Sequence, residues 1–243
     1  MATRVSVPLV AAVLTFCAFS ASAIAQPLGY PTVHVRIIPV VKDQVSGLAW
    51  ADMKAECQRI WLTEGVSIIW DDAQPVAGSV RAVQVPLIVD DMELRKRAKA
   101  HADAVGLTVF AGRTQRVVVS IPRIRDLVSA RRGLIRSDDS TVFDAAVGRI
   151  FGRVVAHEIG HVLLRSTWHA TTGLMSASLG VQHLGPFDPA LDGLSAPDRA
   201  RLTTRFANAD TGERRAAGPP PALARDAGPP GGTVVPIALG NLP

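Results

Sequence analysis

His157-Glu158-Ile159-Gly160-His161 is the part of this chain with the most chemistry in it. On an α-helix, residues four apart stand one turn above each other on the same face, so His157 and His161 can offer two imidazoles to one ion. Nitrogen donors in that arrangement suit zinc, bound at about 2.0–2.1 Å. Glu158 is offset by one position and can address a water beside the ion instead of the ion. A zinc-activated water with a carboxylate to take its proton attacks carbonyl carbon, so the chemistry available is hydrolysis. The surrounding pattern favours this reading. Phe143, Val147, Ile150 and Val154 lead along one helical face to the histidines, while Ile159, Val162 and Leu163 fill the other side. A helix apolar all round is a buried helix. Two histidines and a glutamate are costly inside it unless they are paired or ligated.

A catalytic zinc takes three protein ligands and keeps a fourth position open. No glutamate lies between His161 and Glu213, which argues against a Glu on a following helix as the third ligand. The nearest remaining donor is His169, just past the expected helix end, where a sharp turn can bring it back to the metal. His183, Asp188 and Asp192 are the alternatives.

Residues 157–169 read HEIGHVLLRSTWH, and Gly173-Leu174-Met175 follows. This resembles the metzincin clan of zinc peptidases, whose pattern is H-E-x-x-H-x-x-G-x-x-H followed by a methionine turn. The resemblance is detailed over residues 154–176. It implies zinc on His157, His161 and His169, Glu158 as general base, and Met175 beneath the metal. It further implies an active-site helix lying across a twisted mixed sheet, with substrate pairing along an edge strand by β-augmentation; residues 107–110 or 116–121 are the strands for that part. The sequence departs from the family pattern in three places. Leu164 stands where the turn glycine belongs, the third histidine comes two residues late, and no tyrosine follows Met175. His183 is available as a donor to the transition state.

The elements that must position these groups can be read from periodicity. Residues 33–38 alternate as a strand. Leu48, Trp50, Met53, Cys57, Ile60 and Trp61 recur at helical spacing, with Ser46 as cap and Gly65 past the end. Residues 66–70 and 80–89 read as strands, with Pro86 placing the second at an edge or a bulge. Residues 93–105 read as a short basic helix or a loop, and 107–110 with 116–121 as a strand pair about Ala111-Gly112-Arg113. Residues 123–136 carry five arginines and read as a surface excursion. Asp138, Asp139 and Ser140 open the long helix 141–164. Ser195 caps a last helix ending near Phe206. The fold class expected is α+β and zincin-like: a twisted mixed sheet, a long buried active-site helix and a small C-terminal subdomain ending in a helix.

Composition bounds what else the chain can be. Of 243 residues, 48% are apolar and 19% charged, which suits one folded domain. The net charge of +5 is spread along the chain without a lysine-rich tail or an interleaved aromatic and basic stripe, so no nucleic-acid partner is expected. Arg4, an apolar run over 5–19 and small residues at 21, 23 and 25 form an expected secretory signal, residues 1–25, leaving no membrane span after cleavage. The expected location is therefore secreted or periplasmic. Of two cysteines, Cys17 leaves with the signal, and Cys57 is expected as a buried, inert thiol. Residues 26–207 form the expected peptidase domain, and the Pro/Ala/Gly-rich residues 208–243 an expected disordered tail. The expected activity is zinc-dependent endopeptidase action on peptide or protein substrates by a monomer. The rival readings are a non-catalytic zinc-binding protein of the cell envelope and a zinc amidase acting on a non-peptide-chain amide.

Overall fold

In the computed structural model, residues 33–70, 83–98, 101, 103–112, 114–130, 139–179, 181–215 and 233–239 are described. The expected signal at 1–25 lies outside them. In chain order the strands are β1 (Val33–Val41), β2 (Val66–Trp70), β3 (Val83–Val89), β4 (Ala104–Ala111), β5 (Thr114–Val119), the two-residue β6 (Ser178–Leu179) and β7 (Thr233–Leu239). The helices are α1 (Gly47–Thr63), α2 (Asp91–Arg97), α3 (Ile121–Ala130), α4 (Ser140–Leu164), α5 (Pro189–Asp192) and α6 (Ala196–Arg215).

One mixed sheet runs in the order β2-β1-β3-β5-β4-β7-β6. Strands β2, β1, β3 and β5 pair in parallel. β4 turns back antiparallel to β5 through Gly112, whose φ of 59° is the left-handed backbone a tight hairpin requires. The class is therefore α+β, as the sequence predicts. Pro86 corrects one expectation. β3 lies between β1 and β5 and is not an edge strand, but β5 pairs with it only from Leu87 to Val89, so at Pro86 only β1 is alongside. The missing N–H is tolerated because the ladder on that side has not begun.

β4 has two faces with different neighbours. Leu107 and Val109 join Val118, Leu94 and Ala98 in a small cluster under α2. Thr108 and Gly106 face α4. The main core fills the space between the sheet, α1, α3 and α4. α1 and α4 pack closely because Gly148 and Gly152 leave room: a Cβ at either would lie 2.6 Å from the Cβ of Asp52 or Glu56. Ser46 and Asp139 cap α1 and α4, each accepting a backbone N–H, as expected. From Ala146 to Leu163 every residue of α4 except Arg149 is buried.

Two elements differ from the expected ones. The first part of the arginine-rich stretch forms α3, because Ile121, Ile124, Leu127 and Val128 make a buried helical face; residues 131–136 lie outside the described residues. The C-terminal part does not end in a helix followed by a featureless tail: α6 extends to Arg215, and β7 then returns to pair with β4 and β6 in the sheet. Val234-Val235-Pro236-Ile237 carries enough β-forming side chains to pair once a neighbouring strand is present, although alone it has no period to announce it. Arg205 ties α6 to α4 by donating to the carbonyls of Val162 and Leu163, where the α4 dipole is negative. Among the described residues no helix is long and apolar enough to cross a membrane.

Candidate metal centre

The end of α4 decides whether three histidines can meet. The helix runs one turn past His161 to Leu164, and Arg165 then takes a left-handed conformation with φ 46°. Its N–H and that of Ser166 both return to the His161 carbonyl. Arg165 thus does, one residue later, the job of the glycine that the family pattern places at Leu164. The chain reverses, and the three residues after Arg165 carry His169 back to the helix. A parallel bridge between Ala170 and Ser176, with the Ala170 N–H donating to Met175 O at 2.8 Å, closes the following turn. That turn is anchored from outside by the Leu174 N–H on Gly193 O at 2.7 Å.

His157, His161 and His169 are brought together, each offering one nitrogen, with all three nitrogens inside 4.8 Å of one another. His161 Nε2 lies 2.9 Å from His157 Nε2 and 3.2 Å from His169 Nε2. The opposite ring nitrogens fix the tautomers. His157 Nδ1 sits 2.7 Å from Leu174 O, and His161 Nδ1 2.7 Å from Ser166 O. A carbonyl only accepts, so both Nδ1 atoms carry the proton and both Nε2 atoms present lone pairs. Two lone pairs 2.9 Å apart repel unless a cation lies between them. Burial, and then the neighbouring imidazoles, hold the His157 pKa well below its ordinary value. Burial takes His161 down to about 3, and also lowers the half-buried His169. All three rings are therefore neutral at neutral pH, the form in which imidazole binds metal. The donor set fits a divalent metal ion.

Glu158 is fully buried, and burial holds its carboxyl pKa well above the usual range. The Thr108 hydroxyl lies 2.7 Å from Oε2 and 3.0 Å from the Glu158 backbone carbonyl, fixing the carboxyl against β4. Among the described residues, Oε1 has no hydrogen-bond partner. It faces Gly106, where a Cβ would lie 3.1 Å away and would also strike Val154 Cγ1 at 2.6 Å. Sequence reasoning missed Thr108 and Gly106. The available signal was a lone hydroxyl and a lone glycine inside an otherwise apolar strand, AVGLTVFA.

Met175 is buried directly beneath the helix, and a Cβ on Gly160 would collide with its sulfur. The methionine is thus packed against α4 at Gly160. The other candidate ligands are elsewhere. Asp192 Oδ2 pairs at 3.0 Å with Arg153 Nη2 and accepts the Asp188 N–H at 2.9 Å. Asp188 caps α5. His183 is buried in a 3-10 turn, lining a small cavity with Arg153, Leu174 and Asp192, outside the three-histidine group. Cys57 is buried and unpaired, with its thiol pKa pushed up by burial, as expected for an inert thiol. Comparison of the chain with protein-family models, curated proteins and solved structures gives no match, which leaves the geometry of the site to carry the functional argument.

Proposed function

We propose that this chain is a zinc-dependent endopeptidase of metzincin-like architecture, exported by its N-terminal segment and acting outside the cytoplasm as a monomer. The observation that carries this reading is the pairing of three converging imidazole nitrogens with a buried carboxylate that has one oxygen held by Thr108 and the other without a partner among the described residues. His157, His161 and His169 would hold the ion. Bound there, zinc would supply Lewis acidity toward water and toward a substrate carbonyl.

The remaining steps belong to the protein. Thr108 holds Glu158 Oε2, so Oε1 is the oxygen that meets water. Burial makes that carboxylate an unusually strong base once a cation nearby favours its charged form. Glu158 takes one proton as the water oxygen bonds the carbonyl carbon. It returns that proton to the departing nitrogen as the C–N bond breaks, and the second water proton then passes from the new carboxylic acid to the amine, leaving a carboxylate and an ammonium. The Leu174 and Ser166 carbonyls keep His157 and His161 in the tautomer that points Nε2 inward.

Glu158→Gln keeps the size and the Thr108 contact but cannot take a proton. Metal analysis should find zinc unchanged in this variant, while cleavage of a peptide library falls by about 10²–10⁴-fold. Wild-type turnover by the variant would end the mechanism. A non-catalytic zinc protein of the envelope is the second reading, favoured by the strand that lies over Gly106 and Glu158. It gives no purpose to a buried carboxylate with a free oxygen. A zinc amidase acting on a non-peptide-chain amide would use the same residues, and substrate profiling separates it from a peptidase.

A further inference from the structure

The edge that β4 would offer a peptide is taken by the chain itself. β7 runs antiparallel to β4 from Phe110↔Thr233 to Ala104↔Ala238. On its other side it runs parallel to β6, at Ser178↔Ala238 and Leu179↔Leu239. Both neighbours belong to the metal centre. β4 carries the Thr108 that holds Glu158, and β6 follows directly from the Met175 turn. The register sets Ile237 opposite Gly106. A side chain on Gly106 would lie 3.1 Å from Glu158 Oε1 and 3.3 Å from Ile237 Cγ2, so the fully buried Ile237 fills the hollow beside the free carboxylate oxygen.

We infer that β7 is an internal occupant of the substrate track. Residues 233–239 lie where an extended peptide must lie to reach Glu158, and the site is closed until they leave. The inference rests on the peptidase reading and deepens it. The substrate is an extended segment running antiparallel to β4 and parallel to β6, with an aliphatic side chain in the place of Ile237. Two features make the strand releasable. The pairing shifts register between Ala104 and Gly106. β6 contributes only two residues. A permanent member of the sheet, such as β3, is paired along its length with β1 without a register shift.

Hydrogen exchange on the zinc-loaded full chain tests this, with peptide cleavage followed alongside. In the wild type, amides of β7 and those of β4 bonded to it should exchange together by local opening, about 100-fold faster than those of β1 and β3. Full-length Ile237→Asp sets a second carboxylate beside Glu158 and should release the strand. The β4 amides then lose about tenfold in protection, and hydrolysis of extended aliphatic peptides rises about tenfold because the open form is no longer a minority. The synthetic peptide Thr-Val-Val-Pro-Ile-Ala-Leu, added in trans, should restore protection and slow hydrolysis. Ile237→Val should behave as wild type. Exchange of wild-type β7 only in step with β1 and β3 overturns the inference, and that measurement needs no variant. So does a folded, zinc-retaining Ile237→Asp protein with wild-type protection. The exchange arm involves no turnover. Strand release without hydrolysis by any form would sink the peptidase reading and leave the peptide track standing; hydrolysis with β7 locked would do the reverse.

Discussion

A methyl group on Gly160 would collide with Met175 Sδ, so the fourth residue of the motif is set by what lies under the helix and not by what the helix does chemically. Gly160→Ala should cost about 1–3 kcal/mol in urea unfolding, the usual penalty for overpacking a filled core. The same change in a Met175→Ala background should cost clearly less, because the two side chains compete for one space. Equal costs in both backgrounds would show that the collision does not matter. At this scale the sequence was informative where the signal is local. His157, Glu158 and His161 share one turn of one helix, so spacing alone puts them together. Thr108 acts on Glu158 across 50 residues of sequence and leaves no local pattern. His169 falls between these cases: elimination and resemblance pointed to it, but the turn that delivers it depends on Arg165 adopting a backbone that sequence does not announce.

Arg153 is 1% exposed and lies between Glu56 of α1, at 3.0 Å, and Asp192 of α5, at 3.0 Å. The ion pairs thus join α1, α4 and the segment that anchors the methionine turn through Gly193. Glu64 adds a second tie, accepting the Leu194 N–H at 2.9 Å and pairing with Arg199. Removing Asp192 leaves a buried guanidinium with one partner. Asp192→Ala should lower unfolding stability by about 3–5 kcal/mol, and it should loosen zinc retention because Leu174 and its carbonyl lose their support. A loss below about 1 kcal/mol would mean that water replaces the carboxylate. The elements read correctly from sequence are those whose burial is written in their own period: β1, α1, β2, the β4–β5 hairpin and α4. α3 is hard to read because its four apolar residues at helical spacing lie in a stretch, residues 123–136, that carries five arginines. β7 was obscured for a different reason. Its pairing partner lies more than a hundred residues earlier, and within its own seven residues a proline interrupts the only apolar run.

At the scale of the whole molecule, the metal-free centre is a burden on the fold, and pH makes that burden measurable. His161 titrates at about 3 in the folded chain against an ordinary 6.5, so between these values the unfolded chain takes up a proton that the folded chain refuses. Stability of the chelated protein should therefore fall as pH drops from 6.5 toward 3, with no contribution from this group above 6.5. Glu158 acts in the opposite sense. Its raised pKa means the folded chain holds a proton more tightly, so stability falls as pH rises from 4.5 through the folded value. Zinc bound to the three histidines would relieve both costs. At pH near 7.5, chelation should lower the thermal midpoint by the equivalent of about 4 kcal/mol if zinc was present at a thousand times its dissociation constant. The difference should close on acidification as protons displace the metal. Equal midpoints with and without zinc at neutral pH would remove the metal from the account.

Arg165 has one more consequence. Two of the three nitrogen donors ride on the buried part of α4, and the third is separated from it by a single left-handed joint in a half-exposed loop. Ions of different radius can then be accommodated by moving one donor about that joint, with the other two fixed. Cobalt(II) should enter in place of zinc and report the adjustment in its visible absorption. Arg165→Gly, which frees the joint, should widen the range of ions accepted while weakening the hold on each.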